Sequence, residues 1–203
     1  MDSVDTKPGV GGRWAGWLVG LLVFAAVLVL LVLSLRRSLA RSQGDACQGL
    51  APVQSSSPLP SVSVTRLRPG GQGLVPGGEQ SLVALSGRGH LVNFWSATCA
   101  PCVRELPSLV ELARRAWPGA LVLVCVDESL DEASRLVQNN PGLLSGEDHV
   151  LWLWDKGGTV ARALGTSKFP ETYFVRHGRT RWKVASDRDW MSLPARRCLL
   201  THR

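Results

Sequence analysis

His90-Leu-Val-Asn-Phe-Trp95-Ser-Ala-Thr-Cys99-Ala-Pro-Cys102-Val-Arg-Glu105 is the stretch on which the reading of this chain turns. His90–Trp95 has the apolar composition of a buried strand, and Val103–Arg115 has the spacing of a helix. Cys99 and Cys102 lie between the two. Cysteines at this spacing can close a small reversible disulfide, with the first sulfur at the start of the helix. Free N–H groups and the positive dipole end stabilise a thiolate there and make it reactive near neutral pH. The competing reading is half a zinc site or two structural cysteines. A zinc site needs a second ligand pair at similar spacing, and neither the other cysteines nor His90, His149, His177 and His202 supply one. Strand, CxxC and helix in this order point to redox chemistry, with no metal and no cofactor in the reading.

Upstream, Trp14–Leu35 carries no charge over 22 residues. At ~1.5 Å per residue such a helix crosses the ~30 Å hydrocarbon core of a bilayer. Trp14 and Trp17 suit one interface, Arg36, Arg37 and Arg41 bound the other end, and the run shows no polar stripe of a buried soluble helix. Ser38-Leu39-Ala40 loosely resembles a signal cleavage site, but the apolar run exceeds the ~7–15 residues of a signal peptide, which favours an uncleaved anchor. The expected organisation is an N-terminal tail (1–13), a transmembrane anchor (14–35), a flexible tether (36–61) and an α/β domain (62–203). The tether reading rests on Ser42–Pro60, rich in Ser, Pro, Gln and Gly and poor in apolar residues. Charge bias gives no clear orientation. Lys7, Arg13 and the α-amino group face Arg36, Arg37 and Arg41, a slight lean towards a cytoplasmic domain. The net charge of +7 is spread over scattered arginines without a basic stripe or interleaved aromatics, so nucleic acid is not expected as a partner.

From Val62 the rhythm is that of alternating strands and helices. Val62–Leu67 reads as an edge strand, Pro69–Gly78 as a loop and Gln80–Ser86 as a short strand or turn. Leu91–Trp95 is a central strand, Glu105–Trp117 a helix, and Ala120–Val126 a strand buried on both faces. A helix over Leu130–Asn139, a strand over Val150–Trp154 and a short helix over Thr159–Leu164 follow. Thr172–Val175 and Thr180–Val184 form a hairpin through His177-Gly178, and Asp187 is expected to cap a last helix ending near Leu200.

Val92-Asn-Phe-Trp95, Cys99-x-x-Cys102, Arg104-Glu105-Leu106-Pro107 and Gly165-x4-Pro170-Glu-Thr-Tyr-Phe174, in this order behind an anchor, resemble the membrane-anchored thioredoxin-like proteins of the TlpA/ResA/CcmG group. The match runs over about residues 62–200. The resemblance implies a thioredoxin-like α/β fold, a central mixed sheet flanked by helices, on the extracytoplasmic (periplasmic) side. It implies a thiol–disulfide oxidoreductase that reduces secreted clients with cysteines, apocytochrome c among them, and draws electrons from a transmembrane donor. It also implies the site. Cys99 is the attacking thiolate and Cys102 resolves the mixed disulfide, so the redox disulfide is Cys99–Cys102. Glu105, on the same helix face as Cys102, matches the group's active-site glutamate. A carboxylate partly buried near two thiols should have a raised pKa and can carry a proton for Cys102. Asn93 stands where thioredoxin has a buried aspartate, which leaves proton handling to Glu105. Pro170, after Phe169, corresponds to the cis-proline beside which an extended client pairs, and Trp95 and Thr98 complete the expected client-binding residues.

Two features depart from the group. Thr98 precedes Cys99 where most thioredoxin-like proteins have Trp, and the anchor exit is arginine-rich. Both are shared with thioredoxin-like accessory proteins that mature the disulfide-rich methylamine dehydrogenase, the runner-up reading. A reading of another class is a copper-delivery protein with Cys99 and Cys102 as soft ligands and His149 or His177 as the distal donor. A redox-inert docking module is disfavoured because both cysteines are intact. Cys125, in a buried strand, reads as core packing. Cys47 in the tether and Cys198 near the last helix end are left without an assigned role.

Overall fold

The computed structural model describes residues 12–47, 49–70, 73–85, 89–145 and 148–202. Residues 1–11 of the expected tail lie outside them. The chain divides into two compact units, Met1–Asp45 and Ala46–Arg203. The first is dominated by helix α1 (Gly12–Cys47). Its stretch Trp17–Leu39 is exposed, 23 residues long and apolar enough to cross a membrane.

The second unit runs β1 (Val53–Gln54), β2 (Ser63–Gly70), β3 (Gly73–Ser81), β4 (His90–Trp95), α2 (Ala100–Arg115), β5 (Leu121–Cys125), α3 (Asp131–Asn139), β6 (Val150–Trp154), α4 (Thr159–Ala163), β7 (Glu171–Arg176), β8 (Arg179–Ala185) and α5 (Leu193–His202). Among the described residues the strands form one sheet in the order β1-β8-β7-β4-β5-β6-β2-β3. β4, β5 and β6 are parallel, and the remaining pairings are antiparallel. The mixed central sheet with helices matches the expected architecture.

Strand periodicity divides the core. Leu91 and Trp95 of β4 and Leu121, Leu123 and Cys125 of β5 join one apolar cluster with Leu106 and Leu109 of α2. Val92, Phe94, Val122 and Val124 join the other, with Val160 and Ala161 of α4. Successive side chains of a strand point to opposite faces, so Asn93 faces the α2 side with Leu91 and Trp95. Every residue of β5 is buried, as its unbroken β-branched and leucine run requires of a strand covered on both faces. The β7–β8 hairpin turns through His177 (φ 52°) and Gly178 (φ 68°). Two successive positive φ values are what a two-residue turn needs to match the strand twist.

Three expectations need correction. Residues 36–61, expected as a flexible tether, are structured where they are described. α1 continues to Cys47, β1 pairs with β8, Leu50 and Leu59 are buried, and Cys47 is disulfide-bonded to Cys198. One cross-link and a few well-placed apolar residues hold Cys47 and residues 49–61 within the second unit, although the segment's average composition is polar. The expected loop Pro69–Gly78 is largely a hairpin of β2 and β3, with Leu67 opposite Pro76 and Gly70 opposite Gly73. An outer ladder is held by backbone hydrogen bonds and tolerates Gly and Pro where central strands do not. Asp187 does not cap the last helix. α5 starts at Leu193, and Asp187 instead binds Arg104 of α2 at 3.0 Å.

Candidate active site

Cys99 is the N-cap of α2, in extended conformation (φ −89°, ψ 99°), and its Sγ accepts the Cys102 backbone N–H at 3.3 Å. Pro101 lies in the first turn, where its missing N–H costs nothing and its fixed φ suits the helix start. The first turn carries no acidic residue, so nothing there opposes a thiolate at the dipole's positive end. Cys99 and Cys102 form a disulfide. Cys99 is partly exposed and Cys102 is fully buried, an asymmetry that lets only the first sulfur be reached from outside.

Glu105 sits one turn beyond Cys102 and is 2% exposed. Its Oε1 accepts from Asn93 Nδ2 at 2.7 Å; its Oε2 accepts from the Arg188 backbone N–H and from Trp190 Nε1, each at 3.1 Å. Burial pushes its pKa up to about 7, against the three hydrogen bonds, which favour the carboxylate, and with help from the nearby Asp187 charge. The chain after β8 folds back to make this pocket: Asp187 binds Arg104, and the Trp190 N–H donates to Ser108 Oγ at 3.2 Å. Asn93 Nδ2 also donates to Thr172 Oγ1 at 2.9 Å, whereas Asn93 Oδ1 has no partner among the described residues.

The expected client-binding residues separate into two groups. Phe94 pairs with Glu171 across β4 and β7, so the register places Phe169-Pro170 beside the exit of β4 towards Cys99. The Phe169–Pro170 bond is cis, Phe169 is 37% exposed and Thr98 is exposed. Pro170 itself is buried. Trp95 is withdrawn from the set: it is 0% exposed and packs edge-on to Trp152 at 5.8 Å, because strand alternation turns it inward beneath α2. His149 and His177 do not reach the cysteines. The His149 carbonyl receives the Leu121 N–H where β5 begins, and His177 follows β7, whose Val175 pairs with His90 at the start of β4. Cys99 lies past the opposite end of β4, roughly 16 Å away at ~3.3 Å per strand residue. The copper reading loses its distal ligand.

Sequence reasoning missed Trp190, whose segment it took for helix, and Asp127. Asp127 follows β5, whose Cys125 is in register with Trp95, and binds the turn before Cys99. An acidic residue just past a parallel strand beside the motif strand was the available signal.

No family model matches the chain. It is similar to the thiol-disulfide oxidoreductase ResA of Bacillus thuringiensis subsp. konkukian, with 26% identity over 99 residues, 49% of this chain and 55% of that one. ResA of Oceanobacillus iheyensis is 31% identical over 104 residues, 48% of this chain and 50% of that one. The chain thus spans about half the length of the curated relatives it matches. Among solved structures, the thioredoxin domain of a thiol-disulfide oxidoreductase from Bacteroides vulgatus superposes with a TM-score of 0.55 at 17% identity, covering 74% of this chain and 98% of that one. A secreted disulfide oxidoreductase of Mycobacterium tuberculosis gives 0.53 at 19% identity, covering 69% and 96%. The fold is thioredoxin-like.

Proposed function

We propose that this thioredoxin-fold chain, related in sequence to ResA, is a membrane-anchored thiol–disulfide oxidoreductase that reduces disulfides of exported proteins through Cys99 and Cys102. The observation that carries the reading is the Cys99–Cys102 disulfide at the start of α2, with one sulfur accessible and a glutamate poised near neutrality one turn on. In the reduced protein the Cys99 thiolate attacks a client disulfide. One client thiolate leaves, and a Cys99–client mixed disulfide forms. Cys102 then gives its proton to the Glu105 carboxylate and attacks Cys99 Sγ. The second client thiolate departs, and the Cys99–Cys102 disulfide is restored. Two electrons pass to the client; its two thiolates take one proton from Glu105 and one from solvent. A transmembrane donor returns the electrons. Phe169 and Thr98 line the rim that the client meets, and apocytochrome c is a client of the chemical kind required.

Two observations support an anchored, extracytoplasmic domain. Trp17–Leu39 has the length and composition of a span. The Cys47–Cys198 bond, with both sulfurs buried outside the redox motif, is of the structural kind that persists in oxidising compartments. This outweighs the small charge bias at Arg36, Arg37 and Arg41.

Trapping tests the activity. Cys102→Ser accumulates mixed disulfides through Cys99, and Cys99→Ser forms none. Equal trapping by the two variants, or none by either, overturns the assignment.

A further inference from the structure

We infer that Asp127 is the positioning residue for the nucleophile, holding Cys99 in place through the Ser96-Ala97-Thr98 turn. The inference rests on the exchange activity proposed above. The Ser96 hydroxyl donates to Asp127 Oδ1, and the Ala97 N–H donates to Oδ2 at 2.8 Å. A carboxylate only accepts, so the single Ser96 proton is committed to it. The 2.9 Å contact between Ser96 Oγ and Thr98 Oγ1 then has Thr98 as donor, and the Thr98 N–H reaches Ser96 Oγ at 3.2 Å. All three residues before Cys99 are thereby tied to one carboxylate, directly or through Ser96. The Cys99 N–H closes the turn on the Ser96 carbonyl at 3.2 Å.

Asp127 is itself held, through its main chain and its side chain. Trp154 Nε1 donates to the Asp127 carbonyl at 2.7 Å, and the Val126 N–H donates to the Trp95 carbonyl at 3.0 Å. The buried Cys125 thiol donates to Oδ2 at 3.4 Å. Burial drives that thiol's pKa far up, which keeps it a donor. Thr98 is exposed and offers no large apolar surface with which to pack the turn down. A chain of hydrogen bonds from a neighbouring strand does so instead, and the position of Cys99 at the α2 N-terminus depends on it.

Asp127→Ala and Asp127→Asn separate geometry from charge. An asparagine accepts from the Ala97 N–H and donates to Ser96 Oγ, which keeps both ties without the charge. Alanine keeps neither. Asp127→Ala should slow exchange by about tenfold, the scale of a sub-ångström misplacement, while Asp127→Asn stays within about threefold of wild type. The second readout is the pH midpoint of Cys99 alkylation in the reduced protein. Asp127→Ala should raise it towards that of an ordinary thiol, as Cys99 leaves the helix start, and Asp127→Asn should not. Glu105 titrates alike in both variants and cancels in the comparison. A fall of the midpoint by the same amount in both variants makes Asp127 only a nearby charge and overturns the inference. So does an Asp127→Ala rate loss that follows its thermal midpoint with the alkylation midpoint unmoved. Absence of exchange in the wild type would sink the proposed function instead, and the alkylation midpoint would still test the positioning.

Discussion

Replacing Glu105 with Gln should remove a specific slope from the pH dependence of stability. The carboxyl is 2% exposed, and its pKa rises from 4.5 to about 7 on folding. Between those values the unfolded chain has lost the proton that the folded chain keeps. The stabilisation from holding it is complete below pH 4.5 and is lost as pH rises through 7. The difference of 2.5 units (7 − 4.5), at ~1.36 kcal/mol per unit, corresponds to about 3 kcal/mol. The substituted glutamine cannot titrate, and its accommodation is available in the fold. Its amide would meet the donor Nδ2 of Asn93, but half a turn of the Asn93 side chain presents the unpartnered Oδ1 instead. The assay is urea denaturation of the full chain in detergent micelles, disulfides intact, from pH 4.5 to 8. The quantity read is the stability of wild type minus that of Glu105→Gln, in which the four histidines cancel. This difference should fall by about 3 kcal/mol as pH rises. A change below about 1 kcal/mol, or a rise, would refute the argument that burial outweighs the three hydrogen bonds.

Trp190→Phe removes one donor from Glu105 Oε2 and should move the acid limb of exchange, where the Glu105 carboxylate becomes protonated, upward by up to about one pH unit, read from the pH–rate profile. The Cys47→Ala, Cys198→Ala double variant releases a closure across 151 residues; chain entropy puts its cost near ~5 kcal/mol and measured bridges commonly give ~2–4, checked by non-reducing denaturation. A reporter active only after export, fused to Arg203, should be active; an inactive export reporter with a fluorescent cytoplasmic fusion at the same residue would refute the topology.

The Cys99–Cys102 disulfide was legible because everything that defines it is local: a buried run, two cysteines three apart and a helix start. Glu105 was legible for the same reason, being one turn from Cys102. What escaped detection depends on contacts distant in sequence. Trp190 reaches Glu105 across 85 residues and Asp127 reaches Ala97 across 30. Composition misled at the outer ladder and the supposed tether, because backbone pairing and one disulfide need no apolar pattern along the chain. Trp95 was placed on the client face by resemblance, although period-two alternation with Leu91 already turned it inward.

The two disulfides differ in access: Cys99–Cys102 opens at a helix start, and Cys47–Cys198 is enclosed in the apolar cluster. Exchange needs a thiolate to approach a sulfur, so access decides which bond reacts. Cys198 is 0% exposed and Cys47 is 6% exposed, both within the apolar cluster, whereas Cys99 is partly exposed and caps a helix. A thiolate approaching the oxidised protein therefore meets one accessible sulfur, that of Cys99, and passes over the other pair. The Cys47–Cys198 bond also closes a covalent loop. It joins the last residue of α1 to α5, so the whole β1–β8 sheet lies within the loop it closes. The Asp187–Trp190 segment, which supplies two of the three hydrogen bonds to Glu105, lies shortly before α5 in that loop. Cutting Cys47–Cys198 should therefore loosen the Glu105 pocket as well as lower stability. The acid limb of exchange in the double variant reads that link directly, and an unmoved limb in a folded double variant breaks it.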